Sequence, residues 1–127
     1  MAPIRVLLVE DDPLVAELVA LGLGVGYACE HVAAVRPALQ LAARTAPAAV
    51  ILDLRLRGGD GLDLLAALRR QPATAHVPVI IFSSSADQPA VGARLAALPA
   101  AGPVARVPKA AGVEGLRKVL AELLRES

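Results

Sequence analysis

Ile4-Arg5-Val6-Leu7-Leu8-Val9-Glu10-Asp11-Asp12-Pro13 is the stretch from which the fold can be read. Its first six residues have the length and bulk of a buried strand, and three acids and a proline close it. Asp12 before Pro13 is a helix start, an N-cap side chain followed by the one residue that has no N–H to satisfy at the first helical position. Leu14, Val15, Leu18 and Leu21 then give the following segment one apolar face, and Gly22, Gly24 and Gly26 are expected to end it. The decapeptide therefore predicts a strand that hands over directly to a helix, with acids at the junction.

Outward from this unit the pattern repeats. Tyr27 to Val32 is a weaker strand whose Glu30 and His31 suit a sheet edge, where one side reaches water. Arg36 to Arg44 reads as helix, Ala49 to Leu52 as a buried strand ending at Asp53, and Gly61 to Arg70 as helix after a loop holding Gly58 and Gly59. Val77 to Phe82 is a fourth strand ending in Ser83-Ser84-Ser85, and Pro89 to Leu98 a helix of small residues. Val104 to Val107 is a short strand, and Val113 to Arg125 a periodic closing helix through Leu116, Val119, Leu120, Leu123 and Leu124. Five strands alternating with five helices imply an α/β domain with a parallel sheet covered on both faces. A single domain over residues 3–125 is expected.

Composition narrows the function classes. The chain has 127 residues, 56% hydrophobic and 2% aromatic, with 13 basic against 12 acidic side chains. Two rings, Tyr27 and Phe82, cannot form a base-stacking platform, and a near-neutral balance gives no field to hold nucleic acid. The apolar stretches are interrupted well before the ~20 residues that a spanning helix needs. Cys29 has no partner in the chain and fits a reducing interior, so a cytoplasmic location without membrane attachment is expected.

In a doubly wound sheet, ligands bind beyond the carboxyl ends of the strands. The polar residues at those ends are few: Glu10, Asp11 and Asp12 after the first strand, Asp53 after the third, Ser83 and Ser84 after the fourth, and Lys109 after the fifth. Clustered carboxylates repel one another unless a cation neutralises them, and a hard divalent ion, Mg²⁺ before Ca²⁺, suits oxygen ligands and an incoming phosphate. Lys109, Ser83 and a backbone N–H complete a set able to hold phosphoryl oxygens. No histidine or cysteine set for zinc, no glycine-rich phosphate loop after the first strand and no Ser-His-Asp arrangement is visible. A carboxylate can itself be a nucleophile, and Asp53 is the acid best placed to form an aspartyl phosphate.

The chain resembles the receiver (phosphoacceptor) domain of two-component response regulators, in the manner of a stand-alone chemotaxis regulator. The resemblance rests on Val-Leu-Leu-Val-Glu-Asp-Asp-Pro at 6–13, Val-Ile-Leu-Asp-Leu-Arg-Leu at 50–56 with Gly-Asp-Gly-Leu-Asp-Leu-Leu at 59–65, Val-Pro-Val-Ile-Ile-Phe-Ser-Ser at 77–84, and Val-Pro-Lys at 107–109. It implies a flavodoxin-like five-stranded sheet of order 2-1-3-4-5 and Mg²⁺-dependent transfer of a phosphoryl group from a sensor histidine kinase or phosphotransfer protein. It also implies no turnover beyond the domain's own phosphorylation and dephosphorylation. By the resemblance Asp53 is the phosphoacceptor and Lys109 binds the phosphate. Asp11 and Asp53 ligate the metal, with the Arg55 backbone carbonyl, and Glu10 acts through water. Ser83 stands at the switch hydroxyl.

The resemblance further implies a downstream protein met through helix 4, strand 5 and helix 5, and a monomer or phosphorylation-dependent dimer. Three departures stand out. Lys109-Ala110 replaces Lys-Pro, whose bond is typically cis in the family; either a trans bond with a shifted loop or a strained cis bond is expected. Arg106 replaces the aromatic switch residue and is expected to exchange ion-pair partners instead. Arg57 replaces a loop proline and is expected to loosen its turn. Two alternatives compete: a pseudo-receiver that interacts independently of phosphorylation, and an aspartyl-nucleophile phosphohydrolase. The second would want an acid where Arg55 stands. A flavin carrier of similar topology is disfavoured, since the carboxylates would repel the flavin phosphate.

Overall fold

The computed structural model describes residues 2–99 and 101–126. Five strands form one parallel sheet: β1 (Ile4–Val9), β2 (Tyr27–Val32), β3 (Ala49–Leu52), β4 (Val79–Ser83) and β5 (Val104–Pro108). Their order is β2-β1-β3-β4-β5, so the chain steps outward from β1 to β2 and then returns to the other side of β1. That reversal places the carboxyl ends of β1 and β3 side by side, Val9 opposite Leu52, with Glu10 and Asp53 the next residues of each. The backbone seals this junction: Asp53 N–H donates to the Val9 carbonyl at 3.0 Å, and Glu10 N–H to that of Val32 at 3.0 Å.

Five helices cover the sheet: α1 (Pro13–Leu23), α2 (Val35–Thr45), α3 (Gly61–Arg70), α4 (Pro89–Ala96) and α5 (Gly112–Glu126). Successive strand side chains point to opposite faces. Leu7, Val9, Val50, Leu52, Val79 and Ile81 meet α2, α3 and α4 on one side. Val6, Leu8, Ala49, Ile51, Ile80 and Phe82 meet α1 and α5 on the other. All four residues of β3 are fully buried, as a continuous apolar run in the middle of a two-faced sheet requires. β2 lies at the edge with Glu30 and His31 exposed.

Two local devices position the helices. The Asp12 carboxylate caps α1 by accepting the Leu14 N–H at 2.9 Å, and the Asp60 carboxylate caps α3 by accepting the Leu62 N–H at 2.6 Å. Glycines let α1 and α3 approach their neighbours. A Cβ on Gly22 would sit 2.3 Å from a Val113 methyl carbon, and one on Gly61 would sit 2.1 Å from the Asp53 carbonyl oxygen. Gly22 thus lies inside α1 rather than ending it. Gly24, with φ +82°, is the residue that closes the helix.

Several expectations need correction. The face of α1 that meets the sheet is Ala16, Val19 and Leu23, with Val15 half-buried. Leu14, Leu18 and Leu21 are 63%, 53% and 72% exposed. The helix is apolar nearly all round, so periodicity offers two faces, and contact with Gly22 and Val113 selects the one with small residues. The N-cap of α4 is Gln88, without a side-chain bond, and the Ser85 carbonyl accepts the Gln88 N–H at 3.1 Å. The turn at Arg57 is tied, since its carbonyl accepts the Val35 N–H at 3.1 Å. Arg55–Leu56 and Gly59–Asp60, read as loop, pair as a short antiparallel rung that leads into α3.

Candidate functional site

Glu10 and Asp53 are both buried, Asp53 only 8% exposed, and Asp11 sits half-buried at the rim. Carboxylate oxygens of all three lie within 4.8 Å of one another, the one group of three or more potential metal ligands among the described residues. Lys109, carried past β5 on a single turn (Lys109–Ala111), crosses from the fifth strand to the first and third. Its Nζ donates to Glu10 Oε1 at 2.8 Å and to Asp53 Oδ2 at 2.9 Å. The sequence spacing of 99 and 56 residues is closed by the sheet order alone.

The remaining lone pairs are also engaged. The Leu54 N–H donates to Asp53 Oδ1 at 2.6 Å, and the Asp12 N–H to Glu10 Oε2 at 3.3 Å. His31, from β2, donates through Nε2 to the Glu10 carbonyl at 2.6 Å and fastens the acidic loop to the sheet edge. Sequence reasoning passed over that contact, because His31 reads only as an edge-strand residue. Among the described residues no buried side-chain polar atom lacks a partner.

The two buried carboxyls are held differently. Burial pushes Glu10 up and the neighbouring Asp53 charge adds to this; the Lys109 hydrogen bond opposes it without prevailing, so Glu10 lies above the ordinary glutamate value. Burial would also raise Asp53. There the Lys109 hydrogen bond and charge, with the Ser83 hydroxyl and the Leu54 amide, outweigh it and hold the carboxyl below the ordinary aspartate value. Lys109 loses solvation, yet its two carboxylate partners raise it above the usual lysine value. The site is thus a cluster of three carboxyls beside one ammonium, with Asp53 held toward its ionised form. Its hard oxygen donors and residual negative charge fit a divalent cation.

The Ser83 hydroxyl is buried beside this cluster, 3.3 Å from both the Ser85 N–H, whose bond it accepts, and the Ser85 hydroxyl. Ser84 is exposed. Lys109-Ala110 is trans, since no cis peptide bond occurs among the described residues, and the loop still brings the ammonium to Asp53. Asp12 serves as a helix cap. Arg106 stands apart from the cluster. It makes no ion pair among the described residues, and its Nη1 donates to the Ala86 carbonyl at 3.3 Å while the guanidinium lies over Gly92 of α4.

A five-stranded parallel sheet of order 2-1-3-4-5 with acids at its switch point and a lysine beyond the fifth strand defines a class of signalling domain. The chain belongs to the response regulator receiver domain family, whose profile matches residues 6–121. Among curated proteins it is 32% identical to the response regulator MprA of Mycolicibacterium vanbaalenii, over 98% of this chain and 52% of that protein. It is 32% identical to the DNA-binding dual master transcriptional regulator RpaA of Synechocystis, over 63% of this chain and 34% of that one. The chain thus spans about a third to a half of these relatives. Among solved structures, a putative response regulator from Chloroflexus aurantiacus superposes with a TM-score of 0.84 at 31% identity, covering 97% of this chain and 98% of that one. The receiver domain of a sensor histidine kinase from Pseudomonas aeruginosa, with a magnesium ion coordinated in its active-site cleft, superposes with a TM-score of 0.80 at 28% identity, covering 98% and 99%. No helix among the described residues is long and apolar enough to cross a membrane.

Proposed function

We propose that this receiver domain accepts a phosphoryl group on Asp53 from a phosphohistidine of a sensor kinase or phosphotransfer protein, and that this changes the surface it offers a downstream protein. The observation that carries the reading is the Lys109 ammonium spanning Glu10 and Asp53 beside Asp11, a nucleophile, a phosphate-binding cation and a set of hard ligands in one place. Asp11 and Asp53, the Arg55 backbone carbonyl, and Glu10 through water would hold Mg²⁺. The ion would supply neutralisation of charge on the phosphoryl oxygens.

The protein's own part follows from the geometry. An Asp53 carboxylate oxygen attacks phosphorus as the phosphorus–nitrogen bond to the donor imidazole breaks. The imidazole nitrogen keeps the bonding pair and later takes a proton from water. Lys109, already 2.9 Å from Asp53 Oδ2, turns one N–H to a phosphoryl oxygen, and the chemistry needs little beyond positioning and charge. The Ser83 hydroxyl reaches another such oxygen by giving up its long contacts to Ser85. Because the Ala86 N–H donates to the Ser83 carbonyl at 3.2 Å, the Ala86 carbonyl moves with it and Arg106 must find another acceptor. Arg106 is the switch residue in this reading, through a hydrogen bond rather than an ion pair. The downstream face comprises α4, β5 and α5, in a monomer or a dimer formed on phosphorylation.

The donor docks on the same edge of the sheet. Leu14 and Leu18 flank the site on α1, and Val15, Leu18, Phe82 and Val113 surround an apolar cavity of about 240 Å³ whose wall includes Lys109. A helix of the histidine-bearing donor would cover it.

The test is intact mass after incubation with Mg²⁺ and acetyl phosphate, for the parent and for Asp53→Asn. One added phosphoryl group on the parent and none on the variant is the expected outcome. An unmodified parent would favour a phosphorylation-independent interaction module. Steady hydrolysis of unrelated phosphomonoesters would favour a phosphohydrolase.

A further inference from the structure

α4 is the least anchored of the helices on its side of the sheet. Only Val91 of its eight residues is buried, and its N-cap Gln88 makes no side-chain bond. Where it faces the start of α3 the two helices do not close: a cavity of about 160 Å³ remains, lined by Leu54, Asp60, Leu62, Ala90, Val91 and Arg94. One side chain spans that gap. Arg94 Nη1 donates to Asp60 Oδ2 at 2.6 Å and Nη2 to Asp63 Oδ1 at 2.9 Å. Both acceptors sit at the start of α3, Asp60 as its cap; burial would raise the Asp60 carboxyl, but Arg94 together with the Leu62 and Asp63 amides outweighs it and holds the carboxyl below its ordinary value.

The far end of this bridge touches the phosphoacceptor loop. Gly61, one residue after Asp60, packs its Cα against the Asp53 carbonyl and donates its N–H to the Leu54 carbonyl at 2.8 Å. Leu54 lines the cavity and donates its own N–H to Asp53 Oδ1. α4 is therefore tied to Asp53 along two routes: through the Ser83–Ala86 turn at its N-terminal end, and through Arg94, Asp60 and Gly61 at its C-terminal half.

We propose that Arg94 is an ionic strut that holds α4 off α3 across this unfilled cavity and so favours the unphosphorylated arrangement of the domain. The proposal rests on Asp53 being the phosphoacceptor. When the Ser83 turn is drawn toward a phosphoryl group, α4 follows at its N-terminal end, and the strut must break or pivot before the helix can settle on Leu54 and Leu62. A contact made in one state and lost in the other biases both directions equally: removing it makes α4 easier to displace and Asp53 easier to phosphorylate.

The test uses Arg94→Gln and Asp63→Asn in the intact chain, leaving the Asp60 cap in place, with Arg94→Lys as the conservative variant. Amide hydrogen exchange of 89–96 without phosphodonor should accelerate about three- to tenfold in the first two, the size of one or two exposed ion pairs, with α5 unchanged. The rate of Asp53 phosphorylation by acetyl phosphate with Mg²⁺ should rise about two- to fivefold by the same coupling, and Arg94→Lys should fall between. Exchange in α4 indistinguishable from the parent overturns the strut, and so does faster exchange with an unchanged phosphorylation rate. A parent that takes no phosphate overturns the reading of Asp53 itself, and the strut's role with it; a parent that is phosphorylated, with variants that match it, overturns the strut alone.

Discussion

Lys109 and Arg69 are both drawn out of water, at opposite ends of the same sheet, and they show two ways of keeping a cation inside a protein. Lys109 follows β5 at the carboxyl edge and is held by two carboxylates. Arg69, only 6% exposed near the end of α3, lies at the amino edge and meets no acid among the described residues. Its guanidinium donates to the carbonyls of Ala75, Val77 and Pro103 at 3.2, 2.7 and 3.2 Å, joining the segments that lead into β4 and β5. The partners decide the role. Carboxylates can exchange an ammonium for a metal ion or share it with a phosphate, so Lys109 sits in a site; main-chain carbonyls cannot move away, so Arg69 is a brace.

That contrast can be broken by experiment, and the largest effect is expected at Asp53. Asp53→Asn should abolish phosphoryl uptake in the intact-mass assay while folding normally; residual labelling there would move the chemistry to another acid. Arg69→Met should leave the half-buried Ala75 and Val77 carbonyls without their partner, while the Pro103 carbonyl keeps the Val79 N–H, costing about 2 kcal/mol and lowering the thermal midpoint by roughly 8 °C. Calorimetry with Mg²⁺ titration should show that stability falls and Mg²⁺ affinity does not. Lys109→Met should act on the chemistry rather than on the fold. Labelling by acetyl phosphate should slow about tenfold or more, the midpoint should move by a few degrees at most, and Mg²⁺ should bind no more weakly, since a competing cation has left the carboxylates.

A smaller effect concerns pH. Glu10 lies above its ordinary value, so the folded state binds its proton more readily than the unfolded chain does. Its ionisation therefore opposes folding as pH rises through that window. Asp53 lies below its ordinary value, and the stability it contributes is lost only as pH falls beneath 3.8. In metal-free buffer Glu10→Gln should be slightly more stable than the parent at neutral pH, with the advantage vanishing as the solution is acidified past Glu10's raised value. Denaturant titrations across pH 4 to 8 check the sign. Least of all, Leu18→Gln should leave the thermal midpoint within about 2 °C of the parent, an exposed position carrying little stability. It should slow transfer from a protein donor but not from acetyl phosphate; equal slowing with both would remove α1 from the docking surface.

Much of the carboxyl edge was legible in the sequence because strand ends are marked there by acids, serines and a lysine that interrupt long apolar runs. Ala49–Leu52 and Gly61–Arg70 emerge with their expected bounds for the same reason, a uniform apolar segment between Gly, Pro and Asp. The face of α1 was not legible: a helix rich in leucine, valine and alanine has no single apolar stripe, and the choice was made by a glycine and a valine 91 residues apart. Arg69 and Arg94 were missed because their partners are carbonyls or acids from segments that no local pattern connects. Arg106 was singled out by its departure from a family pattern, yet its partner proved to be a main-chain oxygen, to which sequence is blind.

The missing side chain at Gly22 has a consequence for how force could travel through the molecule. With a Val113 methyl lodged where a Cβ would be, α1 and the first turn of α5 are keyed together like a peg in a slot, and neither can slide along the other without lifting the helix off. The α1 and α5 side of the sheet is thereby the stiffer frame, while α4 on the opposite side is held by Val91, half-buried Leu95 and a salt bridge beside an unfilled cavity. Any stroke begun at Asp53 meets a stiff wall in one direction and a soft one in the other. The protein's asymmetry of compliance, rather than any single contact, would choose which surface moves.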